Sequence, residues 1–486
     1  MTPSATHSHD EYLLACVAGT VALLLLLVGR LRMHAALGLS VAAMCLGVAA
    51  GIPLEKTPLA FTDGAGQMMG HIAIILGMGA ILGQLLACSG AAGALGRGLV
   101  ERCGPRGMPW ALLGLGILVG MPVFFEVGLV LLLPVVMEAA RRSGREPIVV
   151  SLPVLAGLSI THGLLPPHPA ALLAATEYHA PLAQVIFWGL VTGVPAAIVA
   201  GPVLEGVLVQ FWKRKPVRFL AGRAAENMFP ATSAVNEGRT IAQSGGPSES
   251  RLGREGPALL APAGVFRALA VILLPVALIL TGGWADSLTT RGDLPNQLLH
   301  LAGYPDVAMV IAALVALAIL GARVQEHAYR ALGGLRRLTA DSFTPIAGPL
   351  VILAAAGGLS GVLRASGAAQ AAVTLANGVH LPPLILAWAL AAAVRVSMGS
   401  ATVAMAVASS ILAPMAGTMG VRPEMLVLAT GTGSLMLSHV NDSGFWLVGS
   451  LFKVDVKTTL ATWSVLETVL SVAGLAFTLL LSALLN

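Results

Sequence analysis

The stretch MPWALLGLGILVGMPVFFEVGLVLLLPVVM occupies residues 108–137, and it decides how the chain folds. It is almost entirely apolar, it is longer than the roughly 20 residues that one bilayer crossing needs, and Gly120-Met121-Pro122 interrupts it. Basic residues flank it on both sides, namely Arg97, Arg102 and Arg106 before it and Arg141, Arg142 and Arg145 after it. Because such clusters mark the cytoplasmic side of a membrane, one crossing cannot join them. The sequence therefore predicts a re-entrant hairpin with its turn inside the protein.

The composition of the whole chain indicates a membrane protein. Of its 486 residues 56% are hydrophobic and only 10% are charged, whereas a soluble domain carries about 25% charged residues. Apolar runs such as 12–28 and 459–485 are long enough to span the lipid bilayer. The net charge is +5, but the Lys and Arg residues form short clusters between spans, so we expect no nucleic-acid partner. The four cysteines show no metal-ligand spacing, and no cofactor or metal is expected.

The charges of the loops predict the orientation. Arg30 and Arg32 follow the first span, whereas the loop assigned between the second span and the third (71–88) holds Glu55, Lys56 and Asp63. The N-terminus is therefore expected outside. Following the same signals gives ten crossings and two hairpins, the second hairpin being 381–414 and entering from outside. Both termini are then predicted outside a bacterial inner membrane.

Two halves with matching motifs are joined by a polar segment. Residues 213–256 are rich in Ser, Gly, Arg and Glu, which predicts a cytoplasmic linker between a first repeat, 1–212, and a second, 257–486. Ser89 and Ser366, Met121 and Met398, and His162 and His439 are each 277 residues apart. Each half holds five predicted crossings, and an odd number inverts the second copy. The predicted fold is thus an all-α polytopic membrane protein of two inverted repeats, each with five crossings, one re-entrant hairpin and one broken helix, as in secondary transporters.

Four segments are expected to interrupt helices at membrane depth, namely residues 120–126, 161–169, 395–402 and 438–444. Non-helical backbone is tolerated there only when it is buried in protein or lines a wet cavity, so the four segments are expected to meet at one site. They hold most of the conspicuous intramembrane ionisable groups, which are costly in lipid and therefore indicate function. These groups are Glu126, His162, His168, Arg395, His439 and Asp442.

The residues in these segments predict a small polyhydroxy acid as the substrate. Half-helix N-termini attract anions, Arg395 can bind a carboxylate through two hydrogen bonds, and hydroxyl and amide groups can bind substrate hydroxyls. The alternative is that Arg395 pairs with a carboxylate only to hold the hairpins. The predicted substrate-binding residues are Arg395, Ser397, Ser400, Thr402, Thr161, His162, Ser438, His439, Asn441, Ser443 and Pro122.

Either Glu126 or Asp442 is predicted to take up a transported proton. Desolvation at membrane depth favours the neutral acid over the carboxylate, so such a group can load on one side and release on the other. Glu126 ranks first because its neighbours Phe124 and Phe125 are apolar, whereas polar residues flank Asp442. His162 and His439 are secondary candidates.

Four long motifs resemble the signatures of the gluconate permease family. They are GMPVFFEVG (120–128), HGLLPPHP (162–169), GSATVA (399–404) and SHVNDSGFW (438–446). The resemblance covers nearly the whole chain and implies a bacterial proton symporter for gluconate or a related hydroxy acid, within the wider ion-transporter superfamily. Relatives also carry other small acids, including D-serine, and this chain has Met398 where a more polar residue is expected. The exact substrate, the proton stoichiometry and homo-oligomer formation stay open, and sodium coupling is excluded only by the resemblance.

An intramembrane enzyme and a channel are the alternatives. The chain has no nucleophile elbow, no HExxH helix and no paired-aspartate motif. A channel would be expected to show a continuous polar lining rather than two inverted repeats with broken helices. Both alternatives are therefore ranked below a symporter.

Overall fold

The computed structural model describes residues 3–89, 98, 103, 104, 106–214, 262–327, 334–367 and 382–485. Within these ranges the chain forms helices joined by turns, and it forms no strand. Most of the predicted linker 213–256 and the basic residues Arg97 and Arg102 lie outside the described residues. The division into 1–212, 213–256 and 257–486 therefore stays a prediction.

The first half is a series of helices, and short breaks at 121–124 and 165–168 each divide a pair of neighbouring helices. In chain order they are α1 (Pro3–Leu24) with a π-helical turn (Leu25–Arg30), α2 (Ala35–Ala49), α3 (Lys56–Cys88), α4 (Met108–Gly120), α5 (Phe125–Ser143), α6 (Pro147–Leu164), α7 (Pro169–Glu177), α8 (Leu182–Ile198) with a π-helical turn (Val199–Val203), and α9 (Leu204–Arg214).

The helices of the second half follow in chain order. Its helices are α10 (Pro262–Gly283), α11 (Ala285–Leu288), α12 (Leu294–Gly303), α13 (Pro305–His327), α14 (Gly334–Asp341), α15 (Thr344–Ala365), α16 (Pro383–Met398), α17 (Ala401–Leu412) with a 3₁₀ turn (Ala413–Thr418), α18 (Pro423–Ser434), α19 (Ser443–Leu451), α20 (Val456–Thr459) with a π-helical turn (Leu460–Ser464), and α21 (Val465–Leu485).

Helices α4 and α5 form the first predicted hairpin. Pro122 lacks a backbone donor, so helical hydrogen bonds cannot continue through it, and α4 ends at Gly120. Gly116 lies against Val154 and Gly120 against Leu158, so α4 runs parallel to α6. The turn at 144–146 follows α5 and reverses the chain into α6, so α5 and α6 run antiparallel. The thirteen residues of α4 make a helix about 20 Å long, shorter than the roughly 30 Å core of a bilayer. The short α4 favours re-entry over crossing.

The second predicted hairpin breaks at Gly399, between α16 and α17. Gly399 has a φ of 77°, a left-handed conformation that glycine adopts without steric cost. A Cβ at this position would also collide with the backbone of Asn441. Ser400 then caps α17 by accepting a hydrogen bond from the Val403 amide at 3.4 Å. Glycine at position 399 therefore allows both the turn between α16 and α17 and the close approach of this turn to Asn441.

The predicted broken helices are also present. Residues 165–168 separate α6 from α7, and residues 435–442 separate α18 from α19. Nearly every residue of α6 and α7 is buried, whereas buried and accessible residues alternate along α21. The first broken helix therefore lies at the centre of the protein, and the last helix has one face toward the centre and one toward the periphery.

By length and composition, seven helical stretches among the described residues can cross a membrane, or nine if two strongly bent pairs each count once. The predicted count of ten crossings stays a prediction. The third helix is longer than the predicted span 71–88, because α3 begins at Lys56 and bends by 41° near residue 71. Lys56 and Asp63 consequently lie on a helix and not in a loop, since helical backbone continues through polar residues before the apolar run.

Equivalent helices of the two halves pack against each other. Helices α3 and α15 end at Cys88 and Ala365, which are 277 residues apart. Gly361 lies against Ala60, and Gly357 lies against Met68, so the two helices run antiparallel. Antiparallel contact between equivalent helices is the relation that inversion requires. Inversion stays a prediction, and this contact supports it.

The α3–α15 contact predicts a difference between two glycines of α3. A Cβ on Gly64 would lie 2.9 Å from the Gly361 Cα, whereas a Cβ on Gly66 would meet no atom within 4 Å. Overpacking costs about 1–3 kcal/mol, so Gly64→Val should lower the thermal unfolding temperature of the purified protein and Gly66→Val should lower it much less. Equal effects of the two substitutions would contradict this packing.

Candidate functional site

A buried ion pair joins the second hairpin to the second broken helix. Arg395 lies in the last turn of α16 and is 4% exposed. Its Nη2 donates a hydrogen bond to Asp442 Oδ2 at 2.7 Å, and its Nη1 donates to the Gly399 carbonyl. Its Nε, also buried, has no hydrogen-bond partner. The guanidinium therefore closes the hairpin turn and holds Asp442. This is the alternative role of Arg395, in which it pairs with a carboxylate to hold the hairpins.

Asp442 is also the cap of the second half of its broken helix. The Gly444 amide donates to Asp442 Oδ1 at 3.1 Å, and the Ser438 hydroxyl donates to Oδ2. A side-chain acceptor at this position satisfies one of the free amides of a helix N-terminus. Asp442 thus has partners on both of its oxygen atoms.

Trp463 extends this network to the first half of the protein. Its Nε1 donates to the Ser438 hydroxyl at 2.7 Å, and its ring lies 5.1 Å from that of Phe125 at the start of α5. Ser464 donates to the Ser438 carbonyl. Sequence reasoning missed Trp463 and Ser464, because they lie in a span that looks regular and apolar.

His168 and His162 connect the first hairpin with the first broken helix. His168 Nε2 is 2.6 Å from the Gly120 carbonyl oxygen, and the two histidine rings are 5.2 Å apart. His162 Nδ1 is buried without a hydrogen-bond partner. Thr161 is fully buried and donates to carbonyls of its own helix. His162 therefore keeps a free polar atom, and Thr161 does not.

Glu126 lies in the first turn of α5 and keeps solvent-accessible surface in the middle of the protein. It is close enough to Asp442 and Arg395 for their charges to act on it. An accessible side chain whose neighbours are mostly buried is typical of a residue that lines a cavity. Glu126 therefore lies within electrostatic reach of the ion pair, and its place in a shared site stays a prediction.

Beside the ion pair lies a group of accessible polar residues, which we call the polar face. Ser397, Asn441 and Ser443 are exposed, and Ser400, Thr402 and His439 are half-buried. Asn441 Nδ2 donates to the Val396 carbonyl at 2.8 Å, and its Oδ1 bonds to His439. The polar face therefore combines residues of the second hairpin and of the second broken helix.

Other predicted binding residues are not accessible in this conformation. Arg395 and Ser438 are buried and bonded within the protein. Pro122 is buried against Gly83 of α3. These residues fix the positions of the breaks, and they contribute little surface to the polar face.

Glu467 on α21 is a further acid at the centre that sequence reasoning missed. It is 1% exposed, it is hydrogen-bonded to Ser159 of α6, and its Oε1 has no partner. Arg395 and Asp442 are close enough to influence it electrostatically. It is the one Asp or Glu in residues 456–485, and an isolated acid in an apolar span is itself a signal of function.

The whole chain is similar to membrane permeases. The sequence profile described as GntP family permease matches residues 12–236 and 258–484. A gluconate permease of Pseudomonas aeruginosa is 38% identical over 98% of this chain and 99% of its own length. The D-serine transporter DsdX of Escherichia coli is 31% identical over 95% of this chain and 96% of its own length.

The fold is also found in a solved transporter structure. The crystal structure of the YdaH transporter of Alcanivorax borkumensis aligns with a TM-score of 0.63 and 17% identity, covering 93% of this chain and 97% of that one. With several apolar helices of membrane length, the chain is a multi-pass membrane protein.

The buried ion pair predicts a strong energetic coupling between Arg395 and Asp442. Removing one partner of a buried pair costs about 3–5 kcal/mol because the other charge is left unpaired. Arg395→Gln and Asp442→Asn should each lower the stability of the purified protein, and the double substitution should lower it by less than the sum. The exposed pair of Arg141 and Glu138 is the control, with a coupling of about 0–1 kcal/mol. Additive effects at the buried pair would contradict this interpretation.

Proposed function

Because the chain belongs to the GntP family of permeases, we propose that it is a secondary active proton symporter that imports gluconate or a related small sugar acid. The observation that carries this proposal is the end-to-end similarity to a gluconate permease. A bacterial inner membrane location, with both termini outside, completes the proposal and rests on the basic clusters of the sequence.

We place the substrate at the polar face, next to the Arg395–Asp442 pair. Ser397, Asn441 and Ser443 expose hydroxyl and amide groups that match the hydroxyls of a sugar acid, with Ser400, Thr402 and His439 behind them. The carboxylate is attracted by Arg395, whose guanidinium must turn away from Gly399 or Asp442 to bind it directly. The breaks are held in place, in this proposal, by Thr161, His162, Ser438 and Pro122.

Glu126 is the proposed proton carrier. It is accessible, it lies near the charges of Arg395 and Asp442, and both protons and water can therefore reach it. Asp442 ranks second because Arg395, Ser438 and Gly444 already bond to its oxygen atoms. A carboxyl group without a fixed cation is better able to bind and release a proton.

D-serine is the second candidate substrate. The similarity to DsdX supports it, and the accessible carboxyl group of Glu126 offers a place for an ammonium group. Gluconate has no such group and instead carries more hydroxyls. The two substrates can therefore be separated by direct competition.

Uptake of labelled gluconate by proteoliposomes tests the proposed function. An inward proton gradient should drive accumulation, and excess internal gluconate should drive counterflow without a gradient. Unlabelled gluconate should compete strongly, and D-serine should compete weakly. Stronger competition by D-serine would reverse the order of the two substrates, and a lack of counterflow would contradict carrier transport.

Replacing Glu126 tests the proposed proton carrier. Glu126→Gln mimics the protonated acid, so it should abolish accumulation driven by an imposed pH gradient and retain counterflow. Glu138→Gln on the same helix is the matched control, because Glu138 pairs with Arg141 and Arg142 at the helix end, and it should behave as the wild type. Wild-type accumulation by the Glu126 variant would exclude Glu126 as the carrier.

A further inference from the structure

We propose that Glu467 is a second proton-binding group of the transport site, coupled through charge to Arg395. The proposal deepens the symport function proposed above and rests on it. It assigns a residue outside all four broken segments, on the buried face of α21.

The surroundings of Glu467 are those of an uncharged acid. Its side chain is buried, one oxygen atom is hydrogen-bonded to Ser159, and the other has no partner. Among the described residues, no Lys, Arg or His lies within ion-pair distance of it. Burying an unpaired carboxylate costs far more than burying the neutral acid. A bound proton on Glu467 removes that cost.

Other buried acids of the described chain differ from Glu467 in this respect. Glu177 contacts Arg364 at 3.3 Å, Glu205 contacts Arg145 at 2.9 Å, and Asp442 contacts Arg395 at 2.7 Å. Glu177 and Glu205 also have one oxygen atom without a partner. A free oxygen atom is therefore shared by all three glutamates, and the absence of a cation within ion-pair distance is what distinguishes Glu467 among them.

The titratable groups that face Glu467 belong to few elements. Arg395 on α16 and Asp442 at the cap of α19 act on it through charge, and His162 is the titratable residue of α6, which packs against α21. Of the other helices that pack against α21, α8 has no titratable residue, and α18 has only Glu424, at its first turn beside Arg422. Arg395 is thus the positive charge that can respond to Glu467.

This response couples protonation to the substrate site. With a proton on Glu467, Arg395 stays with Asp442 and Gly399, as in this conformation. When the O–H bond of Glu467 breaks and the proton leaves for the cytoplasm, the new carboxylate attracts Arg395, whose Nε has no partner here. A proton from outside then restores the acid. Arg395 therefore acts as the link between the bound proton and the polar face.

Infrared spectroscopy tests the protonation of Glu467 without any substrate. At neutral pH the purified wild type should show a carboxylic acid C=O band that Glu467→Gln removes and Glu205→Gln leaves in place. Ser159→Ala is a smaller change that should move the same band to higher frequency, since it removes the hydrogen bond. A spectrum that neither Glu467→Gln nor Ser159→Ala alters would overturn the proposal.

Transport by the same variants tests the coupling. Glu467→Gln should reduce accumulation of gluconate under an imposed pH gradient to the equilibrium level and keep counterflow, whereas Glu205→Gln should accumulate as the wild type does. Wild-type accumulation by Glu467→Gln would contradict the role of Glu467 in coupling. If wild-type protein fails to transport gluconate, the proposed function is wrong, and the infrared result still decides whether Glu467 holds a proton.

Discussion

The ion pair between Arg395 and Asp442 is the interaction on which the centre of this protein depends. Arg395 bonds at once to the carbonyl of the hairpin turn and to the cap of the broken helix, so it ties the two breaks together in this conformation. Burying two charges is costly, and a buried pair often adds little net stability. Its contribution is to fix where two interrupted helices meet.

The same constraint extends into the first half through hydrogen bonds and ring contacts. Asp442 is bonded to Ser438, Ser438 to Trp463, and the ring of Trp463 lies against Phe125 in the first hairpin. Glu126 follows Phe125 directly. The contacts thus connect Asp442 with the helix turn that carries Glu126.

Much of the fold could be predicted from local signals. Pro122, Gly399 and the 165–168 segment stop helices for reasons of backbone chemistry that act within a few residues, and the structure breaks at these places. The start of α3 was missed because Lys56 and Asp63 look like loop residues and yet continue a helix. Helix ends set by packing leave no such mark in the sequence.

Contact between the second hairpin and the second broken helix was predictable, and the bond from Arg395 to Asp442 makes it; the role of these residues as a substrate site stays a prediction. Arg395 and Ser438 point inward, Arg395 because a buried charge needs a partner and Ser438 because it bonds to Asp442. Trp463 and Glu467 were missed since they lie within a continuous apolar span, and only tertiary packing brings them to the centre.

We propose that a small sugar acid binds where the two interrupted helices of the second half meet Glu126. A structure of the protein determined by electron cryomicroscopy with gluconate bound tests this proposal most directly. Density for gluconate is expected against Ser397, Asn441 and Ser443, with its carboxylate turned toward Arg395. Density for gluconate elsewhere, with the polar face empty, would contradict it.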